Sequence, residues 1–183
     1  NPESPKDAAQ KYAEKLGLPL IECFYKIKDN RSFQAHTQQA REDSIYSNLH
    51  LIPHIIPAIR GKVGEVVDDS FVRGTVVKRS KYLLYEEAKV KRADFLSYTP
   101  QIGIIGKDGV SRGCDFGGID MPSEENEHHA FLARNRTIDE ISKIVGAEVY
   151  FLSMEGLREV YEKRGMPFNN LCTFCIGGEH PFK

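Results

Sequence analysis

The sequence predicts an α/β domain built on a mainly parallel sheet, and three observations support this prediction. Short apolar runs alternate along the chain with segments of helical periodicity, as they do where helices connect parallel strands. The chain has 183 residues, which is enough for one domain with a sizeable core and too few for two catalytic domains. Its 40% hydrophobic and 28% charged residues are typical of a folded domain and exclude a disordered chain.

The charge balance and the cysteine count narrow the class of protein. Lys and Arg total 25 against 26 Asp and Glu, so binding of nucleic acid through bulk positive charge is not expected. No apolar run reaches the ~18 residues of a membrane span, and no secretory signal opens the sequence. Four cysteines in such a chain indicate reduced thiols or metal ligands before disulfides. We therefore expect a soluble, cytoplasmic protein with no nucleic-acid or membrane partner.

Eight segments carry the signals of regular structure. Their limits follow from helix caps, glycine stops, prolines and changes in hydrophobic period. In the first helix, Ser4 is the expected N-cap and Gly17 the stop, and a capping box over Thr137 to Glu140 opens a later one. The predicted elements are helices over 6–16, 76–90, 138–145 and 154–163, and strands over 20–25, 64–67, 94–98 and 149–152.

Two stretches between these elements are predicted to be irregular. The chain is polar from 26 to 50 with few periodic signals, which indicates a long mobile segment of the kind that is often functional. Pro53 and Pro57 exclude a regular helix or a central strand over the apolar stretch 49–59. His50 and His54 have the spacing of a helical ligand pair, but Pro53 spoils that geometry, so we expect loop histidines without a metal.

The second predicted strand ends at the segment that carries the most chemistry. Asp68, Asp69 and Ser70 follow it directly, and a short loop through Gly74 leads into a helix. Ligands of open α/β sheets bind beyond the carboxyl ends of the strands, and glycine lets a backbone approach them closely. The helix N-terminus offers N–H groups to a phosphate, while two carboxylates suit ribose hydroxyls or Mg²⁺. If only the acidic residues are considered, the alternative to a ligand-binding site is an acidic turn that merely caps the helix.

The complete string resembles a known motif. Residues 68–76 read Asp-Asp-Ser-Phe-Val-Arg-Gly-Thr-Val. This string is similar to the phosphoribosyl pyrophosphate (PRPP) motif of type I phosphoribosyltransferases, in the version Asp-Asp-Ser-Ile-Val-Arg-Gly-Thr-Thr that amidophosphoribosyltransferases carry. Seven of the nine positions match, with Phe71 and Val76 as the exceptions. Weaker similarities follow in the family's order at 1–14, 31–33, 118–123 and 138–157.

The resemblance implies a fold, a domain division and a reaction. The fold would be type I phosphoribosyltransferase-like, with a central mainly parallel sheet flanked by helices. Residues 1–163 would form this domain and 164–183 a C-terminal tail. The protein would be a pentosyltransferase of purine nucleotide synthesis, in which ammonia attacks C1 of PRPP to give phosphoribosylamine and pyrophosphate. Catalysis of this kind rests on positioning and electrostatics, helped by Mg²⁺.

The same resemblance assigns roles to individual residues. Asp68 and Asp69 would be the catalytic pair, holding the ribose hydroxyls, or Mg²⁺ together with the loop that bears Ser4. The remaining PRPP-binding residues would cradle the 5′-phosphate, and they are Ser70, Arg73, Gly74, Thr75 and Val76.

Departures from the family keep two other classes open. Val76 removes a hydroxyl from the phosphate cradle, and the region 46–53 lacks the paired basic residues of the family's flexible loop. A loop without these cations should bind pyrophosphate less well, which puts turnover in doubt more than the fold. The alternatives are a non-enzymatic sensor of PRPP or a nucleotide, and a salvage phosphoribosyltransferase that uses a base in place of ammonia.

The cysteines form a second candidate site. Cys172 and Cys175 make a C-x-x-C pair, which by itself fits a redox pair, a metal half-site or coincidence. Their context resembles amidophosphoribosyltransferases with an iron–sulfur cluster, and Cys114 stands where that subgroup has another ligand. The resemblance implies a [4Fe–4S] cluster, with Zn²⁺ or free thiols as alternatives and a fourth ligand upstream of Asn1. Cys23 is expected in the core, away from the other three.

We also expect partners. In the family a strand runs directly into the loop where this sequence begins, so the chain should be part of a longer polypeptide. An upstream glutaminase segment or a second chain would then lie against the strand ending at Val67 or its neighbour, because an unpaired inner strand is a liability. We further expect a homo-oligomer, and no use of glutamine by these 183 residues themselves.

Overall fold

A computed structural model of the protein describes residues 5–27, 38–109, 112 and 131–179, and of these it describes 38–41 by their backbone alone. In chain order the elements are α1 (Lys6–Leu16), β1 (Phe24–Lys26), α2 (Gln38–Asn48), β2 (Leu49–Leu51), a 3-10 turn (Pro53–Ile55), α3 (Ile56–Ile59), β3 (Val63–Asp68), α4 (Thr75–Tyr82), a π-helical turn (Leu83–Glu87), β4 (Arg92–Ser97), α5 (Ile138–Val145), β5 (Val149–Phe151), α6 (Met154–Glu162) and two further 3-10 turns (Phe168–Asn170 and Phe174–Ile176).

Strands β3, β4 and β5 form a parallel sheet in that order. Asp68, the last residue of β3, is in register with Ser97, the last residue of β4. Helices flank the sheet, since α4 lies in the connection from β3 to β4 and α5 directly precedes β5. The fully buried side chains Phe95 and Val149 of the sheet lie in one core with Val77 of α4 and Ile141 of α5. The predicted α/β fold is confirmed, and it is the type I phosphoribosyltransferase-like arrangement that the resemblance implies.

Most of the predicted helices and strands are confirmed to within a few residues. Helix α1 has the predicted limits and ends at Gly17 in the left-handed conformation, but its N-cap is Pro5, without a side-chain hydrogen bond, and not the expected Ser4. Thr137 and Glu140 form the predicted capping box, with reciprocal hydrogen bonds of 3.2 and 2.8 Å. The helix predicted over 76–90 is α-helical only to Tyr82 and continues as the π-helical turn.

The expectation of an irregular segment over 26–50 is wrong from residue 38 onward, where α2 and β2 lie. Strand β2 pairs antiparallel with β1, with Tyr25 opposite His50. The stabilising contact comes from far along the chain. Arg79 of α4 places its guanidinium 5.1 Å from the ring centre of Tyr46 and donates a 3.3 Å hydrogen bond to the carbonyl of Leu49. Residues 28–37 lie outside the described residues.

The proline-containing stretch 49–59 holds no central strand, as predicted, but it does contain the four-residue helix α3. Pro57 lies in the first turn of α3, where its missing N–H needs no partner. His50 belongs to β2 and not to a loop, with its Nε2 2.9 Å from the carbonyl oxygen of Ser47.

The strand predicted over 20–25 is the other clear error, because β1 begins only at Phe24. Leu20 and Ile21 are exposed instead. They line a groove of about 650 Å³ between α1 and the edge of β3 that faces away from β4. We refer to this as the β3-edge groove. The apolar run of the sequence therefore lies along a groove wall and not in a sheet.

Among the residues that the structure describes, no helix is both long and apolar enough to cross a lipid bilayer.

Candidate active site at the carboxyl edge of the sheet

The parallel strands bring the predicted acidic pair to the edge where β3 and β4 both end. Asp68 closes β3 and is buried, with 4% of its surface exposed, while Asp69 and Ser70 are half-buried. The Asp69 N–H donates to the Asp68 carboxylate at 2.9 Å, and the Ser70 N–H donates to the Asp69 carboxylate at 2.7 Å. Both carboxylates therefore accept hydrogen bonds from within the turn, and Asp69 is more accessible than Asp68.

The end of β4 holds this acidic turn from the other side. Thr99 Oγ1 donates a 2.9 Å hydrogen bond to the carbonyl of Asp69, and Ser97 Oγ lies 3.2 Å from the same oxygen. The N–H of Tyr98 donates to the carbonyl of Asp68 at 3.1 Å. The backbone of the acidic pair is thus fixed by three consecutive residues of the neighbouring strand end.

The loop after the acidic turn requires glycine at its last position. Gly74 has a φ of 82°, in the region that disfavours side chains, and it is the N-cap of α4 without any side-chain cap. A Cβ at this position would lie 3.1 Å from Leu132. The N–H of Leu132 in turn donates to the carbonyl of Val72 at 2.7 Å. This packing fixes the loop that leads into the first turn of α4.

Both departures from the family motif have a structural reason. Phe71 is 3% exposed and makes an edge-to-face contact with Phe151 of β5, with ring centres 5.6 Å apart. The position therefore takes a large apolar residue, whether Phe or Ile. Val76 is half-buried and packs against the core, so it adds apolar contact where the family has a hydroxyl.

The structure places the predicted PRPP-binding residues of 68–76 in one continuous turn between β3 and α4, with Arg73 and Thr75 half-buried. Ser4, expected to share Mg²⁺ with this turn, lies outside the described residues.

Tyr98 is a site residue that the sequence reasoning missed. It is 37% exposed and follows β4 directly at the same edge. Burial, followed by the carboxylates of Asp69 and Asp68, raises the pKa of its hydroxyl above the usual value of 10.0. The signal that could have found it is its position, because the ends of neighbouring parallel strands meet at one edge.

The second candidate site is only partly described. Cys172 is exposed and Cys175 half-buried, and Cys114 lies outside the described residues, so the predicted convergence of the three stays a prediction. Arg112, two residues before Cys114, donates from Nε to the carbonyl of Gly178 at 3.2 Å. The N–H of Gly103 donates to the carbonyl of Cys175 at 2.9 Å. The segment leading to Cys114 therefore contacts the C-terminal tail.

Within the described part of the chain, no group of three or more His, Cys, Asp or Glu side chains is arranged to hold a metal ion. Cys23 is half-buried and packs against the core, as predicted, and burial raises the pKa of its thiol.

Comparison with known proteins shows which family shares this sequence. No family model matches the chain. It is 31% identical over 98% of its length to an amidophosphoribosyltransferase of Archaeoglobus fulgidus, and 30% identical over 98% to one of Bacillus subtilis. A third, from Pseudomonas aeruginosa, is 34% identical over 80% of the chain. The chain spans 36%, 35% and 26% of these relatives. In length, the chain corresponds to about a third of the first and second of these relatives. Because all three are amidophosphoribosyltransferases and two of them match nearly the whole chain, the chain belongs to the amidophosphoribosyltransferase family.

Proposed function

We propose that this chain is the phosphoribosyltransferase portion of an amidophosphoribosyltransferase and converts PRPP and ammonia to phosphoribosylamine and pyrophosphate. One observation carries the proposal: the turn 68–76 lies at the carboxyl edge of a parallel sheet and opens a helix through a left-handed glycine. The relatives' shared name supports it, because they match nearly the whole chain. A cytoplasmic location stays a prediction.

The proposal gives each part of the turn a role. The Asp69 carboxylate, with Asp68 behind it, would bind the ribose hydroxyls, and adjacent carboxylate oxygens also fit the hard-ligand preference of Mg²⁺. Arg73, Gly74, Thr75 and Val76 would bind the 5′-phosphate, chiefly through backbone N–H groups at the start of α4. When bound, Mg²⁺ would neutralise charge on the pyrophosphate.

The protein's own contribution to the reaction is positioning and electrostatic stabilisation. The bond from the ammonia nitrogen to C1 forms as the bond from C1 to the pyrophosphate oxygen breaks, and the nitrogen then loses a proton to solvent. The ribose gains positive character in this transition state, which the carboxylates of Asp68 and Asp69 would stabilise. Their backbone is held by the end of β4, so little reorganisation would be needed.

The direct test is PRPP binding by calorimetry with and without Mg²⁺. The double variant Asp68→Asn and Asp69→Asn should lose Mg²⁺-dependent binding, since neutral amides hold the cation far more weakly than carboxylates do. Asp139→Asn, at an exposed aspartate in the first turn of α5, is the matched control and should bind PRPP normally. Unchanged PRPP affinity in the double variant would remove the basis of the site.

A sensor that binds PRPP without turnover is the second candidate function. It is favoured by the region 46–53, which lacks paired basic residues and is held against α4 by the contact of Arg79 with Leu49. Pyrophosphate release from PRPP and ammonium separates the two, because a sensor would bind PRPP and release none. Turnover that requires a purine base would instead identify a salvage enzyme.

We further propose a metal centre formed by Cys114, Cys172 and Cys175. Thiolates are soft ligands that suit an iron–sulfur cluster or Zn²⁺. The contact of Arg112 with Gly178 supports it, since this brings the chain beside Cys114 close to the cysteine pair. Protein purified without oxygen should contain iron and acid-labile sulfide in equal amounts, and Cys172→Ser should lose both. Stoichiometric zinc instead would identify the alternative metal. The absence of both iron and zinc would refute the centre.

The partner that we propose is an upstream glutaminase segment of the same polypeptide, lying in the β3-edge groove, within a homo-oligomer. The length of the relatives supports a longer polypeptide, since the chain covers 36% of the first of them. The groove supports its place, because its walls include the exposed apolar residues Leu20 and Val63. Cross-linking in the full-length protein should join α1 or β3 to that segment.

A further inference from the structure

Arg136 anchors the segment that packs against the loop before α4. From its terminal nitrogen Nη1 it donates two hydrogen bonds, one of 3.1 Å to the carbonyl of Phe131 and one of 3.0 Å to the carbonyl of Leu132. Its guanidinium forms no ion pair within the part of the chain that the structure describes. The charged group is therefore used on two consecutive backbone oxygens.

Two peptide groups connect Arg136 to the loop. Arg136 contacts the Phe131 carbonyl, which belongs to the same peptide group as the Leu132 N–H. This N–H donates to the carbonyl of Val72 at 2.7 Å, and that carbonyl shares a peptide group with the N–H of Arg73. The described peptide bonds are trans, so each group has its donor and its acceptor on opposite sides. The hydrogen bonds therefore run in one direction, from Arg136 to the peptide group between Val72 and Arg73.

A cation at the start of this chain of hydrogen bonds strengthens it. A charged donor polarises the peptide group that it binds, and the N–H of that group becomes a better donor to the next acceptor. The 2.7 Å bond from Leu132 to Val72 lies at the short end of the range for N–H donors, as this effect predicts. Phe131 and Leu132 are only 0% and 4% exposed, so water competes little for these bonds.

We propose that Arg136 is a positioning residue for the 5′-phosphate of the ribose substrate, because it holds the peptide group between Val72 and Arg73. The inference rests on the proposed function, which places this phosphate at the start of α4. A Cβ at Gly74 would lie 3.1 Å from the side chain of Leu132, so the residue that Arg136 fixes also packs against the last position of the loop. The acidic turn is held separately by the end of β4, and loss of Arg136 should leave it intact.

Calorimetric titration of the full-length protein with PRPP and with inorganic pyrophosphate, both with Mg²⁺, tests this. Only PRPP carries the 5′-phosphate. Arg136→Met removes both hydrogen bonds and should weaken PRPP binding about tenfold, while pyrophosphate binding stays unchanged. Arg136→Lys keeps a single cationic nitrogen as the donor, as Nη1 is in the wild-type protein, and should restore part of the affinity for PRPP.

Arg134→Met and Tyr85→Phe are the matched controls. Arg134 lies in the same segment, 5.0 Å from the ring centre of Phe131, and its buried Nε has no hydrogen-bond partner among the described residues. Its loss removes a nearby charge and leaves the chain of hydrogen bonds intact. The Tyr85 hydroxyl accepts a 2.9 Å hydrogen bond from the N–H of Ala93, near the other end of β4, so Tyr85→Phe loses a comparable backbone contact far from the loop. Neither control should change the affinity for PRPP.

Three results would overturn the inference. Equal weakening of PRPP and pyrophosphate by Arg136→Met would show that Arg136 only supports the fold. The same loss of PRPP binding in Arg134→Met would show that charge near the loop matters and the hydrogen bonds do not. Unchanged PRPP binding in Arg136→Met would leave Arg136 without a role. If Arg136→Met does not fold, Arg136→Gln takes its place with the same expected results.

The same titrations separate this inference from the proposed function. A wild-type protein that binds PRPP and pyrophosphate, together with an Arg136→Met variant that binds both equally well, would overturn the role of Arg136 and leave the proposed function standing. A wild-type protein that binds neither ligand would overturn both.

Discussion

Strand β3 separates two regions of contrasting construction. At its carboxyl end, Asp68 and Asp69 are held by short hydrogen bonds to each other and to the end of β4, and Phe71 is buried against Phe151. Along its outer edge lies the β3-edge groove, where no strand pairs with it in the described part of the chain and Val63 is 60% exposed. Strand β3 thus borders both a turn that is held by hydrogen bonds and the β3-edge groove, whose walls include exposed apolar residues.

The described contacts of the acidic turn come from elsewhere than the groove. The contacts that shape the acidic turn come from the end of β4, from β5 and from the segment around Leu132, and none of the residues that make these contacts lines the groove. On the groove side, Tyr12 of α1 lies beside the carboxylate of Glu65 of β3, and Lys6 forms a 3.1 Å ion pair with Glu22. We therefore expect substitutions on the two sides of β3 to have very different costs.

The largest expected contrast is between Phe71→Ala and Val63→Ala. Phe71 is fully packed in the core, so its truncation should lower the free energy of unfolding by about 3 kcal/mol. Val63 is mostly exposed at the outer edge, and its truncation should change the free energy by less than about 0.5 kcal/mol. Urea-induced unfolding of the two variants beside the wild-type protein measures both values.

A loss of several kcal/mol in Val63→Ala would contradict the contrast. It would mean that the outer edge of β3 is buried in solution, as it would be under the proposed upstream segment. Repeating the measurement at two protein concentrations then distinguishes the causes, because burial by a second copy depends on concentration and burial within one polypeptide does not.

The two regions also differ in how far the sequence predicts them. The acidic turn was predictable because its determinants are local: a strand end, two carboxylates that bond to adjacent N–H groups, and Gly74 at the start of α4. The β3-edge groove was not predictable, because residues 20–25 have the composition of a strand. Only the surroundings of these residues decide whether they form a strand.

Helix α2 and the position of Tyr98 were missed for a related reason. α2 is a weakly amphipathic helix that packs against α4, with Arg79 contacting Tyr46 from more than thirty residues away. Tyr98 lies beside the acidic turn only because β4 ends beside β3. Neither the contact nor the strand order is encoded in a local pattern, whereas the parallel fold follows from the alternation of strands and helices.

A second and smaller contrast compares Gly74→Ala with Gly61→Ala. Both glycines have left-handed φ values, 82° and 67°, so alanine should cost about 1 kcal/mol at each. At Gly74 the new Cβ would also lie 3.1 Å from Leu132, whereas nothing lies within 4 Å at Gly61. We expect a total of about 2 kcal/mol at Gly74, together with weaker PRPP binding that Gly61→Ala does not share.

Thermal unfolding and PRPP titration of both variants check this, and Leu132→Ala provides a second test. Combined with Gly74→Ala, it should restore part of the lost stability relative to the sum of the single effects, because the contact has been removed. Strict additivity would show that the left-handed backbone alone, and not the close packing of the loop, makes glycine necessary.

The smallest expected effect is a pH dependence on the groove side. Burial raises the pKa of Cys23, which lines the β3-edge groove, above its usual value of 9.0. A pKa that is higher in the folded state means that the neutral thiol stabilises the fold below pH 9.0, and that this contribution is lost as the pH rises through the folded pKa. The wild-type protein should therefore lose stability above about pH 9 more steeply than Cys23→Ala, by at most ~1.4 kcal/mol per pH unit for one proton.

Between pH 6 and about 8 the two stability profiles should run parallel. Parallel profiles up to about pH 10.5 as well would show that the thiol ionises as freely as in the unfolded chain, and that the groove wall at Cys23 is open to solvent.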